Sequence, residues 1–458
     1  MNTRKLAVSL ALLLGALGSF AEPAAVRPPC GRPVVPQLET NFPILAWTYY
    51  SFENCLDWDY TIDSWVRLGV NTPFAPTIGP QTDRAAFRRF LERCRAAKLK
   101  VYLTDWRVGP SAVHKFIATG DEEAYRQGCR AAKADWADRP EVVGIYVFDE
   151  PDAAQAPRVL RAAKIMSEEI PGKQPFLNLL PWYEGAAKRF GSPDLKSYLA
   201  KCAKESGLTY LGYDYYGHTT PAAEPFEGCF LNLRTWAEFA KETGIKWNVT
   251  MLCTEHFSYR IRSEIDFRWQ LSVAAAMGAN AVNWFYPDHH DDGHLNYRNA
   301  PINQLGERTA TFDWMGQEVR VFQHQFGRLF AQFTFERAFM VGKSFGGVPL
   351  FTDKDDPDLK ALKVAGDPTS PLLVSFFTGK YGRYAAIVNL RKDADGSRNV
   401  KFVFADGVKS MQKMWDDWRA LRPSNDAGLE SLTGETGPVK SLSLYMAPGQ
   451  LVVITLAR

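Results

Sequence analysis

Strand-like and helix-like segments alternate through the first three quarters of the chain, and this alternation constrains the fold more than any other feature. The predicted strands are Ile44–Tyr50, Val70–Ala75, Lys100–Asp105, Val142–Phe148, Pro175–Leu180, Tyr210–Tyr215, Lys246–Leu252 and Ala281–Tyr286. Most are continuous apolar runs, which is typical of parallel strands covered on both faces. The amphipathic stretches between them are long enough for crossover helices. Eight such units predict an α/β protein built on a (β/α)8 TIM barrel over residues 42–335.

An open, doubly wound sheet is the alternative that the same alternation allows. That fold favours a Gly-rich turn after an early strand, and no G-x-G-x-x-G motif follows Ile44–Tyr50. The barrel is therefore the preferred prediction.

The pattern changes after about residue 335. Short β-rich runs separated by turn formers replace the long units, for example Arg383–Asn389 and Leu451–Leu456. Turn residues at such short intervals indicate antiparallel strands. We therefore expect a small antiparallel β-sandwich domain over residues 336–458, which supports the barrel or lines one side of its cleft.

The N-terminus has the order of a secretory signal. Arg4 and Lys5 precede the apolar run Leu6 to Leu17, and small residues end at Ala21. This pattern predicts a signal peptide over residues 1–21, and a Pro-rich leader follows over residues 22–41. The protein is thus expected to be secreted or periplasmic. The run is too short to cross a bilayer, which needs ~20 apolar residues, so no membrane span is predicted.

Charge and cysteine usage exclude several classes of partner. Lys and Arg number 54 against 51 Asp and Glu, so no basic excess exists for nucleic-acid binding. The seven cysteines contain no Cys-x-x-Cys pair, which argues against a structural zinc site. An exported chain can form disulfides, but at least one of seven thiols stays unpaired. Cys253 is interpreted as a core residue. No cofactor is predicted, and the oligomeric state is left open.

Polar and aromatic side chains gather at the predicted strand ends, where barrel active sites lie. The candidate residues at these ends are Trp47, Asp105, Trp106, Asp149, Glu150, Asn178, Asp214, Tyr216, His218, Glu255, Trp284 and Tyr286. Carboxylates interleaved with aromatic rings describe a sugar-cleaving cleft better than other common chemistries.

The strand-4 end, Val147-Phe148-Asp149-Glu150-Pro151, resembles the Asn-Glu-Pro (sometimes Asp-Glu-Pro) signature of the (β/α)8 retaining glycoside hydrolases. The resemblance covers roughly residues 42–335 and implies that Glu150 is the general acid/base. It also implies that a strand-7 glutamate, here Glu255, is the nucleophile, and that Trp284 matches the strand-8 tryptophan. A trailing β-sandwich is also common in that superfamily. Asp149 stands where the superfamily usually has Asn, which leaves the contact to the sugar 2-hydroxyl in question.

Glycoside cleavage needs one protonated and one ionised carboxyl group. A dry aromatic setting would raise the pKa of Glu150 and keep it protonated, while Glu255 would attack as the ion. A separation of ~5–5.5 Å between them gives retention and ~6.5–9.5 Å gives inversion. If Glu255 points elsewhere, Asp214 is the reserve nucleophile or base.

The remaining candidates are expected to bind a carbohydrate substrate. Asn178, Tyr216 and His218 are interpreted as hydrogen-bonding groups. The tryptophans among the candidates are either stacking platforms for sugar rings or core aromatics. Asp105, Asp149 and Tyr286 complete the predicted substrate-binding set.

Two other functions remain open from the residues alone. The first alternative is a non-catalytic glycan-binding protein on a decayed barrel. The second is a metal-assisted hydrolase that uses the loop Asp288–His294, which holds three His and three Asp. The loop spacing matches neither a His-x-x-x-His helix nor an EF-hand, so a solvated loop without a metal is preferred.

Overall fold

The computed structural model describes residues 41–55, 57–221, 226–289, 296–379, 382–408, 412–414, 429–431 and 440–456. The predicted signal peptide and the leader up to residue 40 lie outside the described residues. Within the described residues, no helix is both long enough and apolar enough to cross a membrane.

Seven parallel strands form one curved sheet, in the order β1-β7-β6-β5-β4-β3-β2. Their bounds are Ile44–Ala46 (β1), Val101–Leu103 (β2), Val142–Asp149 (β3), Gln174–Leu179 (β4), Tyr210–Asp214 (β5), Lys246–Leu252 (β6) and Ala281–Phe285 (β7). Each matches one predicted strand, with ends that differ by a few residues.

Residues 70–78 fill the position between β1 and β2 and close the barrel. The Phe74 N–H donates to the Ala46 carbonyl oxygen (2.9 Å), and the Tyr102 N–H donates to the Pro73 carbonyl oxygen (3.0 Å). The strand predicted here makes only isolated bridges, such as Phe74 with Tyr102. Pro73 has no N–H to give to a ladder, which explains the irregularity. With this segment in place, the predicted (β/α)8 barrel is confirmed.

Helices follow the strands. Their bounds are Trp58–Leu68 (α1), Arg84–Ala96 (α2), Pro110–Thr119 (α3), Glu122–Trp136 (α4), Ala156–Glu169 (α5), Ala186–Phe190 (α6), Leu195–Ser206 (α7), Phe226–Thr243 (α8), Glu264–Ala276 (α9), Ala310–Phe322 (α10) and Arg328–Phe330 (α11). Side chains cap several of them. The Ser263 hydroxyl accepts a hydrogen bond from the Ile265 N–H (3.3 Å) and so caps the N-terminus of α9.

The barrel interior has an aromatic half and a polar half. Trp47, Phe74 and Phe176 pack together on the side of β1 to β4, with ring centroids 4.2 Å apart for Trp47 and Phe74 and 4.9 Å apart for Phe74 and Phe176. Buried Asn248 and Asn283 line the side of β6 and β7. Because side chains alternate along a strand, every second residue reaches this interior.

The C-terminal region is an antiparallel β-sandwich, as predicted. Its strands are Thr334–Val341 (β8), Leu359–Val364 (β9), Leu372–Gly379 (β10), Gly382–Asn389 (β11), Arg398–Phe404 (β12), Gln412–Met414 (β13), Leu429–Ser431 (β14), Ser441–Met446 (β15) and Leu451–Leu456 (β16). They form sheets of order β14-β13-β16-β11-β10-β8 and β15-β12-β9. Phe376, Ile387 and Phe402 belong to the apolar core of this region.

The sandwich rests on α9 of the barrel. The Trp269 indole N–H donates to the Leu390 carbonyl oxygen (3.0 Å), and Lys392 forms an ion pair with Asp266 (2.5 Å). Both barrel residues are buried. These contacts attach the sandwich to the barrel.

Six cysteines lie in the described part of the chain, and all six are buried free thiols. Burial raises the pKa of the Cys253 thiol well above its ordinary value. A fully buried thiol with a raised pKa is a poor nucleophile, which agrees with Cys253 as a core residue.

Candidate active site

Three carboxyl groups meet at the carboxyl end of the barrel, and we call them the acidic cluster: Asp149, Glu150 and Asp214. Asp149 ends β3, Glu150 follows it, and Asp214 ends β5. Asn178, on the intervening strand β4, donates from Nδ2 to Asp149 Oδ1 (2.9 Å) and to Asp214 Oδ1 (3.2 Å). The Asn178 side chain thus joins two of the three acids, Asp149 and Asp214.

Glu150 has an unusual backbone conformation. Its φ of 46° lies in the left-handed region, which side-chain-bearing residues rarely adopt. The Glu150 N–H donates to the Asn178 carbonyl oxygen (2.9 Å), which holds the residue in place. Strained backbone of this kind persists where surrounding contacts enforce it, and it concentrates at functional sites.

Burial raises the pKa values of all three acids, and the charges of neighbouring carboxyl groups raise those of Asp149 and Asp214 further. Desolvation and the charge of Glu150 raise the pKa of Asp149 to about 7, against an opposing hydrogen bond from Asn178. Asp149 keeps an exposed surface, but surrounding protein atoms still remove much of its hydration. Desolvation also raises the pKa of Glu150, although Asp214 and Arg189 lower it in part. Crowded carboxyl groups therefore keep protons to unusually high pH.

Glu150 and Asp214 share a hydrogen bond between their carboxyl groups. Desolvation first, and then the charges of Glu150 and Asp149, raise the pKa of Asp214 well above its ordinary value, and this hydrogen bond adds to the rise. Asp214 is 7% exposed, so it is the drier partner. We assign the shared proton to Asp214, which donates it towards Glu150.

Tyrosines surround the acidic cluster. Burial raises the pKa values of Tyr146, Tyr216 and Tyr259, and the nearby charges of Asp214 and Glu150 raise them further. Burial, and then the charges of Asp149 and Asp214, also raise the pKa of Tyr49, a residue that is 47% exposed. The acids therefore lie among phenol groups that can donate hydrogen bonds and present ring faces.

Four residues of this surrounding were not among the sequence candidates: Tyr49, Tyr146, Tyr259 and Arg189. Tyr49 follows β1, and Tyr146 lies within β3 three residues before Asp149. Arg189 lies in the short helix α6, and Tyr259 in the loop after β6. The position of Tyr49 and Tyr146 near strand ends was the available signal, whereas no sequence pattern indicated Arg189 or Tyr259.

Glu255 lies beyond the end of β6 in a different environment. Its Oε1 accepts from the Ile261 N–H (3.0 Å), and its Oε2 faces Arg298 Nε (3.4 Å). Glu255 is 5% exposed, and its backbone pairs with that of Arg298. Among the described charged groups, Arg298 is the one that pairs with Glu255. Glu150 interacts instead with another acid, Asp214.

The ring of His256 links the β6 loop to the tyrosines of the cluster. Its centroid lies 5.6 Å from that of Tyr216 and 5.1 Å from that of Tyr259. Tyr216 and Tyr259 in turn contact each other at 5.6 Å. Tyr216 therefore lies beside the cluster, and His256, the residue after Glu255, packs against it.

The side chains of Asp105 and His218 form their described contacts with residues outside the acidic cluster. Asp105 is fully buried and binds Arg107 (Nη2 to Oδ2, 2.7 Å) and the Trp136 indole (3.0 Å). His218 Nε2 pairs with the Gln270 side chain (3.0 Å), and burial followed by the charge of Lys392 lowers the pKa of His218 to about 3. The contacts described for these two side chains are with residues of a loop, of two helices and of the sandwich.

The predicted aromatic residues divide between core and surface. Trp47 is 5% exposed within the aromatic half of the barrel, and Trp284 is fully buried against Phe267 of α9. Tyr286 is also buried, with its ring 4.9 Å from that of Tyr49. Trp106 is 42% exposed, so it is the one predicted tryptophan with an open ring face.

The described residues contain no group of three or more His, Cys, Asp or Glu arranged to hold a metal ion. Residues 290–294 of the histidine-rich loop lie outside the described residues. Asp288, at the start of that loop, is described, and desolvation raises its pKa to about 7.

No family model matches the chain. No curated protein matches it either. Solved structures with a similar course of the chain include the β-galactosidase from Bacillus circulans sp. alkalophilus, at 13% identity and a TM-score of 0.49, covering 64% of this chain and 57% of that one. The β-galactosidase from the psychrophilic Marinomonas ef1 has 9% identity and a TM-score of 0.46, over 62% of this chain and 60% of that one.

A third similar structure is the β-galactosidase from Rahnella sp. R3, at 9% identity and a TM-score of 0.47, covering 90% of this chain and 98% of that one. This chain spans about three fifths of the length of the first two structures. With TM-scores below 0.5, these similarities are too distant to carry an activity over to this chain.

Proposed function

We propose that this protein is a glycosidase that cleaves an oligo- or polysaccharide with two carboxyl groups, one of them Glu150. The observation that carries the proposal is the acidic cluster of Asp149, Glu150 and Asp214 among tyrosines at the carboxyl end of a barrel. Carboxyl groups with raised pKa values, close to sugar-binding side chains, are what glycoside cleavage requires.

Glu150 is the proposed general acid. Desolvation raises its pKa and so favours the protonated form, and Asp214 donates a hydrogen bond to it. When Glu150 gives its proton to the departing oxygen, this hydrogen bond stabilises the negative charge that remains. Asp214 thus keeps its own proton and donates it in a hydrogen bond to Glu150.

Glu255 is the proposed nucleophile. Its carboxylate is held by the Ile261 N–H and by the ion pair with Arg298, which fixes the group that would attack the anomeric carbon. Asp214, the reserve candidate, fits this role less well in the present arrangement. Carboxyl groups that share a hydrogen bond lie closer than the ~5–5.5 Å that retaining glycosidases keep between acid and nucleophile.

The exposed rings supply the proposed sugar contacts. Tyr49 and Trp106 are 47% and 42% exposed, and each follows a barrel strand at its carboxyl end. Flat rings of this kind stack on the apolar faces of sugars, and Asp149 can accept hydrogen bonds from hydroxyl groups.

The test is hydrolysis of a panel of aryl glycosides and natural glycans by the protein and its variants. Glu150→Gln and Glu255→Gln should lose activity, while Glu205→Gln, an exposed carboxylate on α7, should retain it. Glycan binding without any release of sugar by the unmodified protein would refute the glycosidase and favour the glycan-binding alternative.

We also propose that the protein is exported, on the basis of the residues Arg4 to Ala21. Expression of the full chain with periplasmic and culture fractions analysed separately tests this. The mature N-terminus should begin after Ala21, and an intact N-terminus on cytoplasmic protein would contradict export.

A further inference from the structure

A chain of three buried polar side chains runs across the barrel interior to the acidic cluster. Asn283 Nδ2 donates to Thr250 Oγ1 (3.0 Å), and Thr250 Oγ1 donates to Asn178 Oδ1 (3.4 Å). These residues lie on β7, β6 and β4 and are at most 2% exposed. The chain ends at Asn178, which contacts two of the three acids.

The hydrogen bonds of this chain have one possible direction. Asn178 uses its two Nδ2 hydrogens on Asp149 and Asp214, so its Oδ1 must accept. Thr250 therefore has to donate its single hydroxyl hydrogen to Asn178 and to accept from Asn283. A flipped Asn178 would place its oxygen against two carboxyl groups, which is repulsive.

We infer that Asn178, held in orientation by Thr250 and Asn283, is a positioning residue that decides where the protons of the acidic cluster reside. This inference rests on the proposed function, because it assigns the arrangement that prepares Glu150 as the acid. The Asn178 donor to Asp149 favours charge on that carboxyl group. Its donor to Asp214 occupies Oδ1, which leaves the other oxygen of Asp214 to hold the proton shared with Glu150. Asn178 is accordingly assigned to the cluster instead of to the substrate.

Other charged and titratable groups face the cluster and act on the same protons. They are Tyr49 after β1, Tyr146 in β3, Tyr216 after β5, Tyr259 after β6 and Arg189 in α6. The test must therefore change the hydrogen-bonded chain and leave these groups in place. Thr250 meets this condition, because its described hydroxyl contacts are with Asn178 and Asn283.

Thr250→Val keeps the side-chain shape and removes the donor to Asn178, while Thr250→Ser keeps the donor and is the matched control. The measurement is the titration of aspartate carboxyl groups by 13C NMR in the folded full chain, with Asp149 identified by the signal lost in Asp149→Asn. In Thr250→Val the apparent pKa of Asp149 should rise by about half a pH unit, since its charged form loses support. Thr250→Ser should titrate like the unmodified protein.

On an active glycoside, Thr250→Val should also lower kcat roughly tenfold with little change in KM, because positioning acts in the transition state. Unchanged titration in a folded Thr250→Val protein overturns the inference. If that variant does not fold, Asn178→Leu carries the same test, with an expected rise of about one pH unit. Because NMR reads the protons directly, a protein without glycosidase activity can still confirm the hydrogen-bonded chain.

Discussion

The acidic cluster and the Glu255–Arg298 pair place glutamates at two strand ends of one barrel in opposite electrostatic settings. Glu150 is crowded by Asp149 and Asp214, which share protons with it or repel its charge. Glu255 instead faces a cation and a backbone N–H. The environment of each carboxyl group is therefore set by its neighbours: the first setting raises the pKa of Glu150, and the second supplies Glu255 with a cation and a hydrogen-bond donor.

Replacement of Glu150 should have the largest effect on this contrast. In Glu150→Gln, kcat/KM on glycosides should fall by ~10²–10⁴-fold, the usual contribution of a general acid. The free energy of unfolding should rise, since one of three crowded carboxyl groups is gone. Steady-state kinetics and chemical denaturation measure the two effects. A folded variant with normal activity would falsify the assignment of Glu150.

Removal of the cation beside Glu255 should have the next largest effect. In Arg298→Met, the buried carboxylate of Glu255 loses its ion-pair partner, so the free energy of unfolding should drop by about 1–3 kcal/mol. Activity should also fall, because the Glu255 carboxylate loses the contact that holds it in place. Arg298→Lys is the control that keeps the charge, and an Arg298→Met protein with unchanged stability and activity would contradict this role of the ion pair.

The stability of the protein should depend on pH through the acidic cluster. The pKa of Asp149 is about 7 in the folded protein and ordinary, near ~4, in the unfolded chain. Between these values the folded state binds more protons, so stability declines as pH rises and levels off above about 7. Asp149→Asn should show a flatter curve of Tm against pH between 4 and 8. A steeper curve in Asp149→Asn would contradict the raised pKa.

The smallest expected effect concerns the phenol groups around the cluster. Tyr216→Phe keeps the ring and its contact with His256 but removes one hydroxyl near Asp214 and Glu150. A single hydrogen bond of about 1 kcal/mol predicts a roughly fivefold loss of kcat/KM. The fold should be unaffected, so an unchanged near-UV spectrum with this modest loss is the expected result, and full activity would place Tyr216 outside the site.

Much of the architecture could be predicted because buried positions recur periodically and are occupied by apolar residues. Seven of the eight predicted strands are regular strands, and the eighth is interrupted at Pro73, a residue whose effect on a strand is itself predictable. Asp149, Glu150 and Asp214 could be selected because parallel strands end at one edge of a barrel.

The arrangement of the site could not be predicted to the same depth. Strand-end positions do not reveal that Asp105 is bound by Arg107 and Trp136, because those partners come from a loop and a helix. The direction in which the Glu255 carboxylate points depends on Arg298, which lies 43 residues away in sequence. Loop geometry of this kind is decided by packing between distant segments.

The amino-acid sequence by itself determined the barrel, the sandwich and the set of acids at the strand ends, since apolar periodicity and strand order are local properties that burial enforces. Tertiary structure alone decided which acids share protons, which one faces a cation, and how Asn283, Thr250 and Asn178 connect to the cluster. Proton affinity depends on distances of a few ångströms between residues far apart in the chain, and only folding sets those distances.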